Sequence, residues 1–401
     1  MKRRTGLWIL TATHAANDFY PGAIAALLPF FVLERGYDYA AAAGITLAAT
    51  SLSSIAQPAF GYLSDRFRLR WLVIAGLAMA SAGVAVSGLV SQTYWLTWIV
   101  IAISGIGVAA YHPAATVAAR QAGGGSNGSM SMFAVGGNVG AALAPTAVIL
   151  VVGTLGLGAT PLLAAPAVAV AIPYLTRAWL AGRASSRSTV PTRDQPAGPP
   201  RMDDAWVLFA LLVGLVAFWS ITYVGVSSFI TLYSIERFQV DAAVASIALS
   251  VFPAAGAIGT LAGGWLADRY RRFAVIRCGY LAAACSMLLI VLAPSPAIVV
   301  IGSGALGIAL FIPFAPQITL AHSYLPSRIG LASGVTLGLT LSLGGLASPA
   351  LGALADATSI RTTMALMTGL LVIALAASFS LRERTRPAAP EVAAPAATEP
   401  S

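Results

Sequence analysis

Apolar residues run in stretches of about twenty along most of the chain, separated by short polar breaks. A helix rises about 1.5 Å per residue, so crossing about 30 Å of hydrocarbon takes about 20 residues. Read on that ruler, the pattern predicts twelve membrane helices: Leu7–Leu33, Ala43–Leu63, Trp71–Val90, Leu96–Ala119, Ser129–Val151, Pro161–Leu180, Trp206–Ile235, Ala243–Ala267, Phe273–Ala293, Ala297–Ala321, Ile329–Ala353 and Thr362–Leu381. The first of these carries a polar interruption, LTATHAANDFYPG over residues 10–22, with a histidine and an aspartate one turn apart. A start of Met-Lys-Arg-Arg before an apolar stretch has the look of a signal peptide. Asp18 in its middle and the eleven spans behind it make it the first helix instead.

Composition agrees with the pattern. Of 401 residues 58% are apolar and 9% charged, against about 25% charged in an ordinary soluble domain, and mean hydropathy is +0.83. Lys and Arg in short loops stay on the cytoplasmic side. With the N-terminus inside, 20 of the 23 basic residues fall in cytoplasmic segments, leaving Arg35, Arg237 and Arg361 outside. That bias predicts two cytoplasmic termini in a plasma (inner) membrane, and it turns the net charge of +9 into a topology signal. No nucleic-acid partner is expected; the expected surroundings are the lipid bilayer. The polar stretch 182–205 is rich in Pro, Ser and Arg and predicts a cytoplasmic linker, and residues 387–401 have the Pro and Ala bias of a disordered tail. Residues 1–181 and 206–386 then form an N-terminal and a C-terminal six-helix bundle.

The two halves repeat. Gly61-Tyr-Leu-Ser-Asp65-Arg66 recurs as Gly264-Trp-Leu-Ala-Asp268-Arg269, Leu33-Glu-Arg35 as Ile235-Glu-Arg237, Gly107…Pro113 as Gly307…Pro313, and Gly140…Pro145 as Gly344…Pro349, at offsets of 203, 202, 200 and 204. Matches in register indicate a duplicated unit in parallel orientation, an all-α membrane fold of two bundles. A substrate site between such bundles near the midplane is a transporter plan.

The Gly61-x-x-x-Asp65-Arg66 motif, followed by Arg70, resembles the signature of the major facilitator superfamily between helices 2 and 3, with Arg68 where that signature usually has glycine. A closer likeness runs through His14-x-x-Asn17-Asp18, Gln57-Pro58-x-x-Gly61, Tyr111-His112-Pro113, Gly123-Gly124, Gly128 and Phe133-x-Val135-Gly136-Gly137-Asn138-x-Gly140. Together these resemble the fosmidomycin-resistance branch of the superfamily, which implies a proton-coupled exporter of small toxic molecules working by alternating access. The branch commonly follows its His-Pro with glutamate, where this chain has Ala114. The superfamily likeness makes Gly61, Asp65, Arg66 and Arg70, with Asp268 and Arg269, a cytoplasmic gating motif in which an acid meets the partial positive charge of a helix N-terminus. A solvated loop that merely sets topology is the alternative.

An ionised carboxylate at the centre of a membrane helix costs about 2.5–3.5 kcal/mol on insertion scales, so such groups face a cavity or a partner. Asp18 is the one acid well inside the first-half spans, and His14 lies on the same helix face four residues earlier. At an offset of 202 the pair aligns with Val216 and Ser220, so the second half builds its equivalent helix without it. His112 likewise meets Ile312 in the repeat, while the glycine and proline around it are kept. Histidine exchanges protons near neutrality. We therefore take His14, Asn17, Asp18, His112, Asn138 and Tyr111 as candidate proton- and substrate-binding residues. The alternative is that they hydrogen-bond between helices and fix packing. Gly136, Gly137 and Gly140 predict close approach of helix 5 to a neighbour. Trp219, Tyr223, Tyr233, Phe252 and Phe314 are candidate cavity aromatics, or simply core.

Other motifs dissolve on inspection. Gly123-Gly-Gly125-Ser-Asn-Gly128 fits a dinucleotide pattern but follows no strand. Asn127-Gly-Ser129 is a sequon on the wrong side. Cys278 and Cys285 are about 10.5 Å apart along one helix and cannot pair. No metal-ligand spacing, P-loop or nucleophile elbow is present, so no metal, cofactor, ATP use or enzymatic activity is expected. The favoured reading is a secondary transporter, functional as a monomer, that exchanges protons for a small-molecule substrate: an antiporting exporter of drugs or metabolites, with a proton symporter for a small organic anion as runner-up. A non-transporting membrane sensor is the reading from another class, and it would call for an appended signalling domain.

Overall fold

The structure, a computed structural model, describes residues 2–67, 71–123, 127–184, 203–326, 332, 335–336 and 339–383; within these the side chains of residues 2–4, 51–55, 57–58, 61–67, 120, 127–131, 177–184 and 339–341 lie outside the description. The described chain is almost wholly helical. The first half contains α1 (Lys2–Arg35), α2 (Tyr39–Phe67), α3 (Leu72–Ser87), α4 (Tyr94–Ala122), α5 (Asn127–Leu155), a 3-10 stretch (Leu157–Ala164) and α6 (Ala165–Ala184). The second contains α7 (Trp206–Phe238), α8 (Ala242–Arg269), α9 (Arg272–Leu292), α10 (Pro296–Phe311), α11 (Phe314–Tyr324), α12 (Leu339–Ala357) and α13 (Ile360–Ser378). Among the described residues nine helical segments are long and apolar enough to cross a membrane. α3 has only 16 residues, many α2 side chains lie outside the description, and so does much of the chain before α12.

Capping residues fix several helix starts. Asp241 accepts the Val244 amide at 2.8 Å to begin α8, and Ser359 accepts that of Thr362 at 3.1 Å to begin α13; each satisfies an amide the helix leaves unpaired. Pro296 opens α10, where its missing N–H costs nothing. Two elements differ from the apolar pattern. The expected helix from Pro161 starts as a 3-10 turn at Leu157. The expected helix Ala297–Ala321 is broken between α10 and α11 at Ile312-Pro313, where proline offers no amide for the ladder; α4 runs unbroken through the corresponding Pro113.

Packing repeats with the sequence. α1 lies on α5 as α7 lies on α12, α2 on α4 as α8 on α10, and α3 on α4 as α9 on α10. The halves meet chiefly where α2 packs on α12 and α5 on α8. Even the arginines near the ends of α1 and α7 repeat: Arg35 donates to Ser91 Oγ at 2.8 Å and Arg237 to the Ala293 carbonyl at 3.2 Å, an offset of 202 at both ends of the contact. These arginines tie the end of the first helix of each half to the end of its third. Of the linker expected over 182–205, residues 185–202 lie outside the described residues, as does the whole of the tail expected over 387–401.

Candidate functional site

α1 and α5 approach closely because α5 presents glycine where the helices cross. A Cβ on Gly136 would lie 2.5 Å from the Thr11 carbonyl, and one on Gly137 would lie 2.3 Å from Asp18 Oδ2 and 3.0 Å from His14 Nε2. The same device recurs in the second half, where a Cβ on Gly344 would meet the Ser220 carbonyl at 2.4 Å. There Ser220, aligned with Asp18, accepts the Gly344 amide at 2.8 Å. Both crossings pack; only the first carries titratable groups.

Asp18 sits between two imidazoles. His14 Nε2 is 3.2 Å from Asp18 Oδ2, and His112 Nε2 is 3.3 Å from Oδ1. Asn17 Nδ2 donates to Asp18 Oδ1 at 3.0 Å. The opposite nitrogen of each ring meets a carbonyl: His14 Nδ1 is 2.7 Å from Phe133 O, and His112 Nδ1 is 2.9 Å from Val108 O. A carbonyl only accepts, so each Nδ1 carries a proton. A neutral ring would then turn its Nε2 lone pair toward a carboxylate oxygen. Each Nε2–Oδ contact can therefore hold a proton of its own, and the cluster has room for two. With both in place the net charge of the three groups is +1, two imidazolium ions around one carboxylate.

The remaining candidates take different places. Tyr111 is fully buried, and its hydroxyl is 2.8 Å from Thr13 Oγ1; its ring stacks near His14 at 6.1 Å, while Phe133 stacks on His14 at 4.2 Å. Tyr111 thus braces the His14 wall and does not line the cavity. Ala114, where the branch commonly has an acid, is buried. Asp268 and Arg269 close α8 and are exposed. The side chains of Gly61, Asp65 and Arg66, and all of Arg70, lie outside the described residues.

A cavity of about 160 Å³ opens between the halves, with Asp18 and His112 on its wall. α1, α2, α4 and α5 line one side, α7 and α8 the other. Asn138 reaches it from α5, and Tyr223 does so from the second half. Four hydroxyls that no motif announced also line it: Thr46, Thr50, Ser227 and Ser228. Thr46 and Ser228 meet across the halves at 3.1 Å. No Lys or Arg is among the described lining residues. A cavity of about 150 Å³ holds a benzene-sized guest, so in this state the space suits a small molecule. Of the other aromatics, Trp219 stacks on Tyr223 at 5.2 Å and donates to the Leu310 carbonyl, while Phe252 and Tyr233 are core.

Two imidazoles and a carboxylate are also a donor set that can hold a metal ion, and their donor atoms lie within 4.8 Å of one another. Sequence spacing did not show this set, because His112 is 94 residues from Asp18. The two cysteines are free and exposed.

Two parallel bundles around a central cavity define a transporter plan, and comparison with known proteins decides which. The sequence model described as Major Facilitator Superfamily matches residues 7–349. The chain belongs to the major facilitator superfamily. It is a multi-pass membrane transporter, and the members of this superfamily are transporters, not enzymes. Over 371 residues it is 29% identical to the fosmidomycin resistance protein of Escherichia coli K12, covering 90% of this chain and 89% of that protein. It is 27% identical over 387 residues to the uncharacterized MFS-type transporter YfnC of Bacillus subtilis 168, covering 94% of each. Among solved structures, a bacterial homolog of the human lysosomal transporter Spinster, inward-facing and occupied, superposes with a TM-score of 0.73 at 17% identity, covering 94% of this chain and 96% of that one. The nucleoside transporter NupG gives 0.73 at 15%, covering 95% and 99%. At these identities the solved structures speak to the fold alone.

Proposed function

We propose that this superfamily member is a proton-coupled exporter of small drugs or metabolites, working as an antiporter by alternating access. The carrying observation is the Asp18 carboxylate held between His14 and His112 on the wall of a cavity between the halves. In a hydrocarbon setting such a cluster is costly, and the repeat folds the same crossing with Ser220 instead. A group that binds protons where substrate sits makes the two ligands compete, which is the thermodynamic core of antiport. The relative named for fosmidomycin resistance supports export. On this reading Asn17 orients Asp18, Asn138 and Tyr223 contact substrate, and Asp65, Arg66, Asp268 and Arg269 gate the cytoplasmic side. The 20-to-3 distribution of basic residues supports an inner-membrane protein with both termini in the cytoplasm and the 182–205 linker facing it.

One observation favours a second reading. The doubly protonated cluster carries +1 in a cavity lined by no Lys or Arg, so it attracts an anion, which then leaves when protons leave. Proton and anion would travel together, as in a symporter. The sense of coupling is thus tied to substrate charge: weak bases and neutral amphiphiles compete with protons, and anions accompany them. Purified protein in proteoliposomes under an imposed pH gradient, with fosmidomycin, weak bases and neutral amphiphiles as the panel, tests both. Uphill flux against the proton flow supports the antiporter, flux with it supports the symporter, and gradient-independent flux for every compound defeats proton coupling.

A further inference from the structure

α2 begins at the face where α1 turns into α2, α7 into α8 and α12 into α13, opposite the chain termini. A helix start leaves four amides without partners, and here three are taken by acids. Ala41 N donates to Asp38 Oδ1 at 2.6 Å, the ordinary cap from the same chain segment. The other two leave their own half. Tyr39 N donates to Asp356 Oδ1 at 2.9 Å and Ala40 N to Asp356 Oδ2 at 2.8 Å, so the carboxylate at the end of α12 clasps two successive amides of α2. The Tyr39 hydroxyl donates to Glu236 Oε2 at 2.7 Å near the end of α7. Gly352 admits this contact: a Cβ there would lie 2.5 Å from the Tyr39 carbonyl and 2.8 Å from Ala43 Cβ.

We propose that Asp356, with Glu236, is a latch that holds the two halves closed at this face by capping the first turn of α2 from the opposite bundle. The carboxylate meets the positive end of the α2 dipole, and its two bonds are charge-assisted. Alternating access requires this face to part, because α2 and α12 are the contact between the halves here. Parting removes both amides from Asp356 and the phenol from Glu236, while Asp38 stays with its own helix. The latch therefore adds stability only to the closed arrangement, which makes it a bias on the conformational equilibrium. It asks nothing of the substrate or of the proton and stands whether or not the coupling proposed above is right.

Distance measurement between two spin labels tests it. The full chain, with Cys278→Ser and Cys285→Ser, is labelled at Glu34→Cys and Thr358→Cys, both exposed and in opposite halves, and studied in lipid nanodiscs without substrate. The unaltered latch should give a distribution dominated by the short distance. Asp356→Ala should raise the long-distance population about fivefold, the factor expected for losing a helix cap. Asp356→Asn, which keeps the shape, and Tyr39→Phe should move it in the same direction. Asp241→Ala removes a cap that lies within one half and should leave the distribution unchanged. The proposal is overturned if the Asp356 and Tyr39 variants match the parent, if the parent is already dominated by the long distance, or if Asp241→Ala opens this face as much as Asp356→Ala does.

Discussion

Removing one proton from the His14–Asp18–His112 cluster changes its net charge by one in a cavity with no Lys or Arg among its described lining residues. It also leaves one imidazole lone pair facing a carboxylate oxygen, so that contact must open. Asp18→Asn keeps the volume and removes the charge. It should abolish gradient-driven uphill transport while downhill exchange persists, and undiminished uphill transport in reconstituted vesicles would leave Asp18 a packing residue. For an anionic substrate the sign is fixed by the histidines. As pH rises and the cluster gives up protons, its net charge falls and affinity for the anion should drop. His112→Ala should flatten that dependence in a binding titration. Gly137→Ala pushes a methyl to 2.3 Å from Asp18 Oδ2; it should cut coupled flux at least about tenfold, the effect of about 1.4 kcal/mol. How much of this site the sequence displayed follows from chain distance. His14 and Asp18 are one helical turn apart and stand out in an apolar run. Their joining by His112 depends on α1 meeting α4, and the anchor of His14 is a main-chain carbonyl at Phe133, which no side-chain pattern marks.

At the scale of elements, the helix crossings rest on absent side chains. A Cβ on Gly140 would sit 1.9 Å from the Ala15 carbonyl, and one on Gly344 in the repeat 2.4 Å from the Ser220 carbonyl. Gly140→Ala and Gly344→Ala should each lower stability by about 1–3 kcal/mol, the usual cost of overpacking. Gly369, in α13 with nothing within 4 Å, is the control: its change to alanine should be neutral or stabilising by up to about 1 kcal/mol. Thermal unfolding in detergent compares them, and a Gly369 variant that falls as far as the other two would mean that the loss is generic. These crossings were legible as glycine spacings shared between halves. The break at Pro313 was not, since Pro113 stands at the matching place in an unbroken α4. Nor were the cavity hydroxyls, because Thr46, Thr50, Ser227 and Ser228 are common residues in apolar helices and only the meeting of α2 with α7 gives them a shared purpose.

For the whole molecule, duplication and charge are arguments of different kinds. Duplication fixes how the bundles are built, through the paired contacts of α1 with α5 and α7 with α12, and is indifferent to which face looks outward. Charge bears on orientation, because each basic residue held back from translocation favours the cytoplasm. Arg35 and Arg237, two of the three exceptions the bias leaves, are tied to Ser91 and Ala293, which gives them a structural use whichever way the molecule faces. Orientation is then open to direct measurement. In a Cys-free background, single cysteines at Gly158 and Ser295, which lie beside the α5–α6 and α9–α10 connections, should react in intact cells with an impermeant thiol reagent. A cysteine at Ser186, in the linker, should react only after the cells are opened. Gly158 has open space where the new side chain would point, so failure to label there cannot be put down to crowding. Labelling of Ser186 in sealed cells would invert the molecule, and would place the Asp356 latch on the cytoplasmic face.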